Sequence, residues 1–279
     1  MLASAYAIED WNPGKRMRSA TEGLLVRAGQ LGSTRTLRFV KKDHCIFGGF
    51  VQQSESCRLL WKLDRGTTYT FVASGDGYAR DVDITIKSQD GLRTLAKNDS
   101  DKRDAVVVFT PTDSAEYLID TKLFSGRDGK GAFISLAVFA DNGYTVPLQN
   151  LKKAFDELDE SCSKFNELQN GRGQKPLFAD RNGAWSLVGG VVQSGQRLGL
   201  YDITLSKGNY AVLAAGDFTL ADADLTVTRD GVVAGTDSRH YKDAYVSFAV
   251  QSTTLHNVIL TNYKSNGSSF VMFAILNIK

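Results

Sequence analysis

The feature that most constrains this chain is an internal duplication. Gly48-Gly49 followed by Val51-Gln52 recurs as Gly189-Gly190 followed by Val192-Gln193. Gly66-Thr67-Thr68-Tyr69 recurs as Gly208-Asn209-Tyr210, and Ala73-Ser74-Gly75-Asp76 as Ala214-Ala215-Gly216-Asp217. Asp81 to Ile86 matches Asp222 to Val227, Asp90-Gly91 matches Asp230-Gly231, Asp99-Ser100 matches Asp237-Ser238, and Asp104-Ala105 matches Asp243-Ala244. Ordered landmarks at offsets of 138 to 142 residues define two copies of one unit. The expected domains are residues 1–142 and 143–279, each long enough to bury a core of its own.

Within each copy, short segments alternate apolar and polar residues and are separated by Gly, Asp, Asn and Ser. Val82, Ile84 and Ile86 point one way, while Asp81, Asp83 and Thr85 point the other. About eight strands of five to seven residues per unit, joined by tight turns, predict an antiparallel β-sandwich. A helix precedes each sandwich. Leu148, Leu151, Phe155, Leu158, Cys162, Phe165 and Leu168 fall at steps of three and four and form one apolar stripe, with Pro147 before it and Asn170-Gly171 after it. In the first copy Ser19-Ala20-Thr21-Glu22 reads as a capping box ahead of Leu24, Leu25, Ala28 and Leu31, with Gly32 as the stop. The fold class is mainly β, with two tandem sandwiches each led by one helix. The stripe residues Leu151, Phe155, Leu158 and Phe165 are the candidate interface. They are expected to pack inside the chain, the alternative being a helix that binds a partner or a second copy.

The landmarks resemble the bacterial pre-peptidase C-terminal domain. They are the Gly66 to Tyr69 strand, Asp81 to Ile84, the Asp90-Gly91 turn, Asp99-Ser100, then Phe109-Thr110-Pro111 leading to Tyr117. The resemblance covers residues 45–139 closely and 186–276 less so, since the second copy has no proline after Phe248 and no counterpart of Tyr117. It implies a jelly-roll-like sandwich from a secreted or periplasmic bacterial protein, of a kind often attached to peptidases and often without activity of its own. Some members of the family bind calcium, collagen or other polymers.

Chemistry-bearing motifs are sparse. His44, His240 and His256 sit at unrelated places in the repeat, and no G-x-S-x-G elbow is present. Gly126-Arg127-Asp128-Gly129-Lys130-Gly131 lacks phosphate-loop spacing and precedes a strand, so it reads as a hairpin turn. The recurring acids are Asp76, Asp81, Asp83, Asp99 and Asp104 in one copy and Asp217, Asp222, Asp224, Asp237 and Asp243 in the other. Clustered hard oxygen ligands are what Ca²⁺ requires; Asp also serves turns and solvent-facing strands with no metal. The expectation for cofactors is therefore none, or Ca²⁺ at those ten residues.

Eight basic residues against the single acid Glu22 lie between Trp11 and Lys42: Lys15, Arg16, Arg18, Arg27, Arg35, Arg38, Lys41 and Lys42. Such a run serves either a phosphate-bearing surface or, more commonly, a solvated face and counter-charges for acidic loops. Three cysteines form no disulfide framework and no C-x-x-C pair, and no apolar run is long enough to span a membrane. Ala5-Tyr6-Ala7 has the small-x-small form of a signal-peptidase site, so a trimmed leader and a secreted or periplasmic location are expected. The function expected is a non-catalytic binding or adhesion module for a protein or polysaccharide, with no specific nucleic acid. The alternative is a structural subunit of an envelope or extracellular assembly that self-associates.

Overall fold

The computed structural model describes residues 11–279 apart from 35, 42, 43 and 182. Arg35, Lys42 and the Ala5-Tyr6-Ala7 motif lie outside the described residues.

The first helix, α1, spans Pro13–Gly32. It starts ahead of the expected capping box. The Asn12 side chain caps it by accepting a 3.1 Å hydrogen bond from the Lys15 amide, and Pro13 takes the first helical position, where a missing N–H is harmless. Ser19 to Glu22 are interior residues of this helix, and the Thr21 hydroxyl bonds back to the Met17 carbonyl instead of capping. Eight strands follow: β1 (Ile46–Val51), β2 (Ser56–Leu63), β3 (Tyr69–Gly75), β4 (Ala79–Ser88), β5 (Thr94–Asn98), β6 (Asp104–Phe109), β7 (Ala115–Gly126) and β8 (Ala132–Ala140). Helix α2 runs Leu148–Asn170, between Pro147 and Gly171 as expected. The second half adds β9 (Pro176–Phe178), β10 (Leu187–Val192), β11 (Arg197–Leu205), β12 (Gly208–Gly216), β13 (Leu220–Arg229), β14 (Val232–Asp237), β15 (Ala244–Val250), β16 (Thr254–Ser265) and β17 (Ser269–Ile278). The strands are more unequal than expected, β9 having 3 residues and β7 and β16 having 12 each.

The fold is mainly β and its strand pairs are antiparallel. Each half contributes a separate outer sheet, β2-β7-β4-β5 in the first and β11-β16-β13-β14 in the second. The remaining strands form one continuous sheet of 9 strands, in the order β15-β12-β17-β10-β1-β8-β3-β6, with β9 added beside β17. The two halves are thus joined laterally where β1 pairs with β10. That seam is self-complementary: Ile46 faces Gly189, Phe47 faces Val188 and Gly48 faces Leu187, so that equivalent residues of the two copies meet at its centre. The repeated glycines make room there. A Cβ on Gly48 would stand 2.6 Å from the Phe133 ring, and one on Gly189 would stand 3.0 Å from the Met272 Cβ. The Trp61 and Trp185 rings each lie 5.9 Å from that of Phe47, so two tryptophans that do not recur in the repeat meet at the seam.

The inner strands of the shared sheet are covered on both faces. Strands β3 and β8 are buried along their whole length, because α1 packs on them from one side and the outer sheet supplies Val82, Ile84 and Ile86 on the other. In the second half α2 covers β12 and β17 in the same way. Continuous burial explains why these segments read as apolar runs, whereas β4 and β13 keep the alternation of half-solvated strands. The two helices also pack on each other. Arg18 of α1 donates two hydrogen bonds, 2.7 and 2.5 Å long, to the buried carboxylate of Asp159 on α2. Burial pushes that carboxyl upward, while the Arg18 guanidinium, paired with it, is held protonated. A charge-assisted pair of this kind fixes the angle between the helices as well as their separation.

Candidate functional site

The ten recurring aspartates divide by what they touch. Asp76 and Asp217 are fully buried and perform the same task in each half. Asp76 accepts hydrogen bonds from Arg16 of α1 (3.0 Å), from the Tyr78 amide (2.8 Å) and from the Phe133 amide (3.1 Å). Asp217 accepts from Asn150 of α2 (2.8 Å), from the Thr219 amide (2.9 Å) and from the Phe270 amide (3.0 Å). Each carboxylate ties its helix to two segments of its sheet. Asp104 pairs with Arg27 at 3.3 Å, and Asp99 with Lys97. Asp237 accepts from Arg239 and from the Tyr245 amide, and the Arg239 hydrogen bond leads the effects that hold its carboxyl down at about 2. Asp243 is exposed.

Asp81 and Asp83 are neighbours, as are Asp222 and Asp224. Register shifts flank Asp81 and Asp222, so the simple alternation expected across each pair is broken by a bulge. Burial pushes Asp83 up to about 6, with the nearby Asp81 and Asp99 charges adding to it and Lys122 opposing. Asp81 and Asp224 are raised for the same leading reason. Asp222 is held by the His240 Nδ1 at 2.9 Å. Among the described residues, no three His, Cys, Asp or Glu side chains gather in a way that could hold a metal ion. The carboxylates that recur most strictly are occupied by backbone amides and by their own helix.

The other candidate groups are likewise committed. His44 bonds the Gly199 carbonyl at 2.9 Å, across the seam. His256 is buried beside Phe248, and burial lowers its pKa. The three thiols are buried, Cys57 being pushed up to about 12 by desolvation, so they are poor nucleophiles. The Gly126 to Gly131 segment connects β7 to β8 as a turn, with Asp128 and Gly129 both at positive φ. Three members of the basic run are counter-charges, since Arg16, Arg18 and Arg27 each meet an aspartate. The candidate interface residues Leu151, Phe155, Leu158 and Phe165 are all buried within the chain. The stripe ends sooner than its periodicity suggested, because Leu168 is 53% exposed.

An open cleft lies at the N-terminus of α1, and sequence reasoning did not find it. It has two adjoining parts of about 480 and 580 Å³ that share Asn12 and Lys15. Arg16, Asp76 and Tyr78 line the first, and Trp11, Asn166 and Lys175 line the second. Cations stand over its aromatic rings: Arg16 lies 3.7 Å from the centre of Tyr78, Lys130 lies 5.7 Å from it, and Lys175 lies 5.8 Å from the centre of Trp11. These residues come from α1 and the two residues before it, two turns, the last turns of α2 and the segment after it. Lys15 and Arg16 carried a sequence signal as part of the basic run, and Asp76 as one of the recurring acids.

No family model and no curated protein matches the chain. Among solved structures, it is similar to a periplasmic inhibitor of g-type lysozyme from Aeromonas hydrophila, at 19% identity, a TM-score of 0.29, and coverage of 37% of this chain and 92% of that one. It is also similar to a surface-associated copper-binding protein of Methylomicrobium album BG8, at 10% identity and a TM-score of 0.30, covering 39% and 97%. A longer match is the PBSX exported protein XepA, at 10% identity and a TM-score of 0.24, covering 83% and 84%.

Proposed function

We propose that this protein is a non-catalytic binding module of the bacterial cell envelope or exterior, recognising a protein or a polysaccharide. Its two halves are then jelly-roll units like the pre-peptidase C-terminal domain, fused side by side. The orders β1-β8-β3-β6 and β2-β7-β4-β5, repeated in the second half, support the jelly-roll reading. The observation that carries the functional reading is the cleft beside α1. Rings and stacked cations line it, and its buried acid, Asp76, is already neutralised by Arg16 and two amides. Such a lining recognises a ligand by stacking and hydrogen bonding. The assembly alternative needed an exposed stripe on α2, and that stripe is spent inside the chain.

The test is retention of the purified protein on immobilised polysaccharides and extracellular-matrix proteins, with the supernatants assayed for products. Retention without turnover, weakened by Tyr78→Ala, is the expected result. Chemical conversion of any of these polymers by the wild-type protein, or failure of all of them to retain it, would contradict the proposal.

A further inference from the structure

The duplication provides an internal control for the surfaces of the two outer sheets. On the first, the outward face is a charged lattice. Lys87 and Arg58 flank Asp120 at 3.1 and 3.8 Å, while Lys122 stands two residues along the same strand and Lys97 on the edge strand β5. Strand register gives the equivalents on the second outer sheet. Thr85 faces Asp120 in the first half as Thr226 faces Ile259 in the second, so Asp120 corresponds to Ile259. By the same pairing Lys122 corresponds to Thr261, Lys87 to Thr228, Lys97 to Thr236 and Arg58 to Gly199. Five charged positions have become three threonines, an isoleucine and a glycine on the same backbone.

The neutral face is also furnished. A Cβ on Gly199 would lie 2.7 Å from the Tyr201 ring, so the tyrosine lies across the place that the Arg58 side chain fills in the other half. Tyr201 is 58% exposed in that position, and Tyr263, further along β16, is 59% exposed. Four residues of strand separate Ile259, beside Gly199, from Tyr263, which is about 13 Å at the rise of an extended chain. Around Ile259 stand hydroxyl and amide groups, with Asn257 bonded to Thr228 and Thr226 to Thr236. Between Ile259 and Tyr263 lies Thr261, with Arg197 on one side and Asp224 on the other, one cation and one anion that leave no net charge there.

We infer that the outer face of the second half, from Tyr201 across Ile259 and Thr226 to Tyr263, is a docking surface for an uncharged polysaccharide. The inference rests on the reading of the chain as a binding module and places a site away from the cleft. The charge pattern selects the partner. An acidic polymer or nucleic acid would need the cations that this face has lost. An apolar partner would leave the threonine hydroxyls and the asparagine amide unpaired on docking. A neutral sugar chain matches both features, its hydroxyls exchanging hydrogen bonds with Thr and Asn and its C–H faces lying on the tyrosine rings, which order at low entropic cost. A broad sheet face suits a polymer, where a small molecule would take a concavity.

Affinity electrophoresis of the whole protein through gels containing barley β-glucan, hydroxyethyl cellulose or galactomannan tests this, with polygalacturonate as the acidic control. At least one neutral polymer should retard the wild type, and polygalacturonate should not. The variant Thr228→Lys/Thr236→Lys/Thr261→Lys carries the residues that the first half already tolerates at these positions, and it should lose about tenfold in affinity. Tyr201→Ala, at an exposed ring, should lose a similar factor and covers the case in which the triple variant fails to fold. Retardation lost in Tyr78→Ala but kept in the face variants would leave the binding-module reading standing and overturn this assignment. Absence of retardation by every neutral polymer would overturn it too. So would a wild-type dimer in light scattering that the triple variant converts to monomer, since the face would then be covered by a second copy.

Discussion

At the scale of single residues, equivalent positions of the two halves do the same structural work with different partners. Asp76 and Asp217 each hold a helix to its sheet, but Asp76 meets a guanidinium and Asp217 an amide. Asp76→Ala strands the Arg16 charge and the Phe133 N–H together, and should cost about 3 kcal/mol by urea denaturation. Asp217→Asn keeps one acceptor oxygen and should cost about 1 kcal/mol. Asp83 makes a prediction of opposite sign. Its carboxyl is raised to about 6, so the folded state takes up its proton more readily than the unfolded chain does. Its contribution is therefore fully favourable below about pH 4, and is lost as the pH rises through 6. Asp83→Asn should raise the melting temperature at pH 7 and leave it unchanged at pH 4, as read from thermal melts across that range. Because no three carboxylates converge among the described residues, melting curves in millimolar calcium and in chelator should coincide.

At the scale of elements, α2 could be read from the chain and α1 only in part. Pro147 and Asn170-Gly171 bracket α2 in plain sight, and its stripe at steps of three and four is the face it buries. In α1 two start signals compete. Asn12-Pro13 wins over Ser19-Thr21-Glu22 because starting at Pro13 brings Arg16 and Arg18 within reach of Asp76 and Asp159, contacts no local pattern reveals. The neutral face was accessible in principle, since aligning the copies turns Lys87, Lys97 and Lys122 into Thr228, Thr236 and Thr261. Knowing that these positions share one surface still needed the strand register. Truncating the stripe separates its buried members from its exposed end. Leu158→Ala should destabilise by about 3 kcal/mol, and Leu168→Ala should fall within about 0.5 kcal/mol of wild type in the same urea titration.

At the scale of the whole molecule, the duplication was visible in the sequence and the seam was not. Landmarks at a near-constant offset suggest two bodies on a string, and an apolar strand such as Ile46–Val51 gives no sign of which edge will pair with it. The structure uses β1 and β10 to cap each other's open edges, an economical answer to the hazard that an exposed edge strand presents. A further consequence is that both helices and both outer sheets rest on one central layer, so the halves should not unfold independently. Differential scanning calorimetry of the intact chain measures this most directly. The structure predicts a single transition whose calorimetric and van't Hoff enthalpies agree; two resolved transitions, each with about half the total enthalpy, would contradict it.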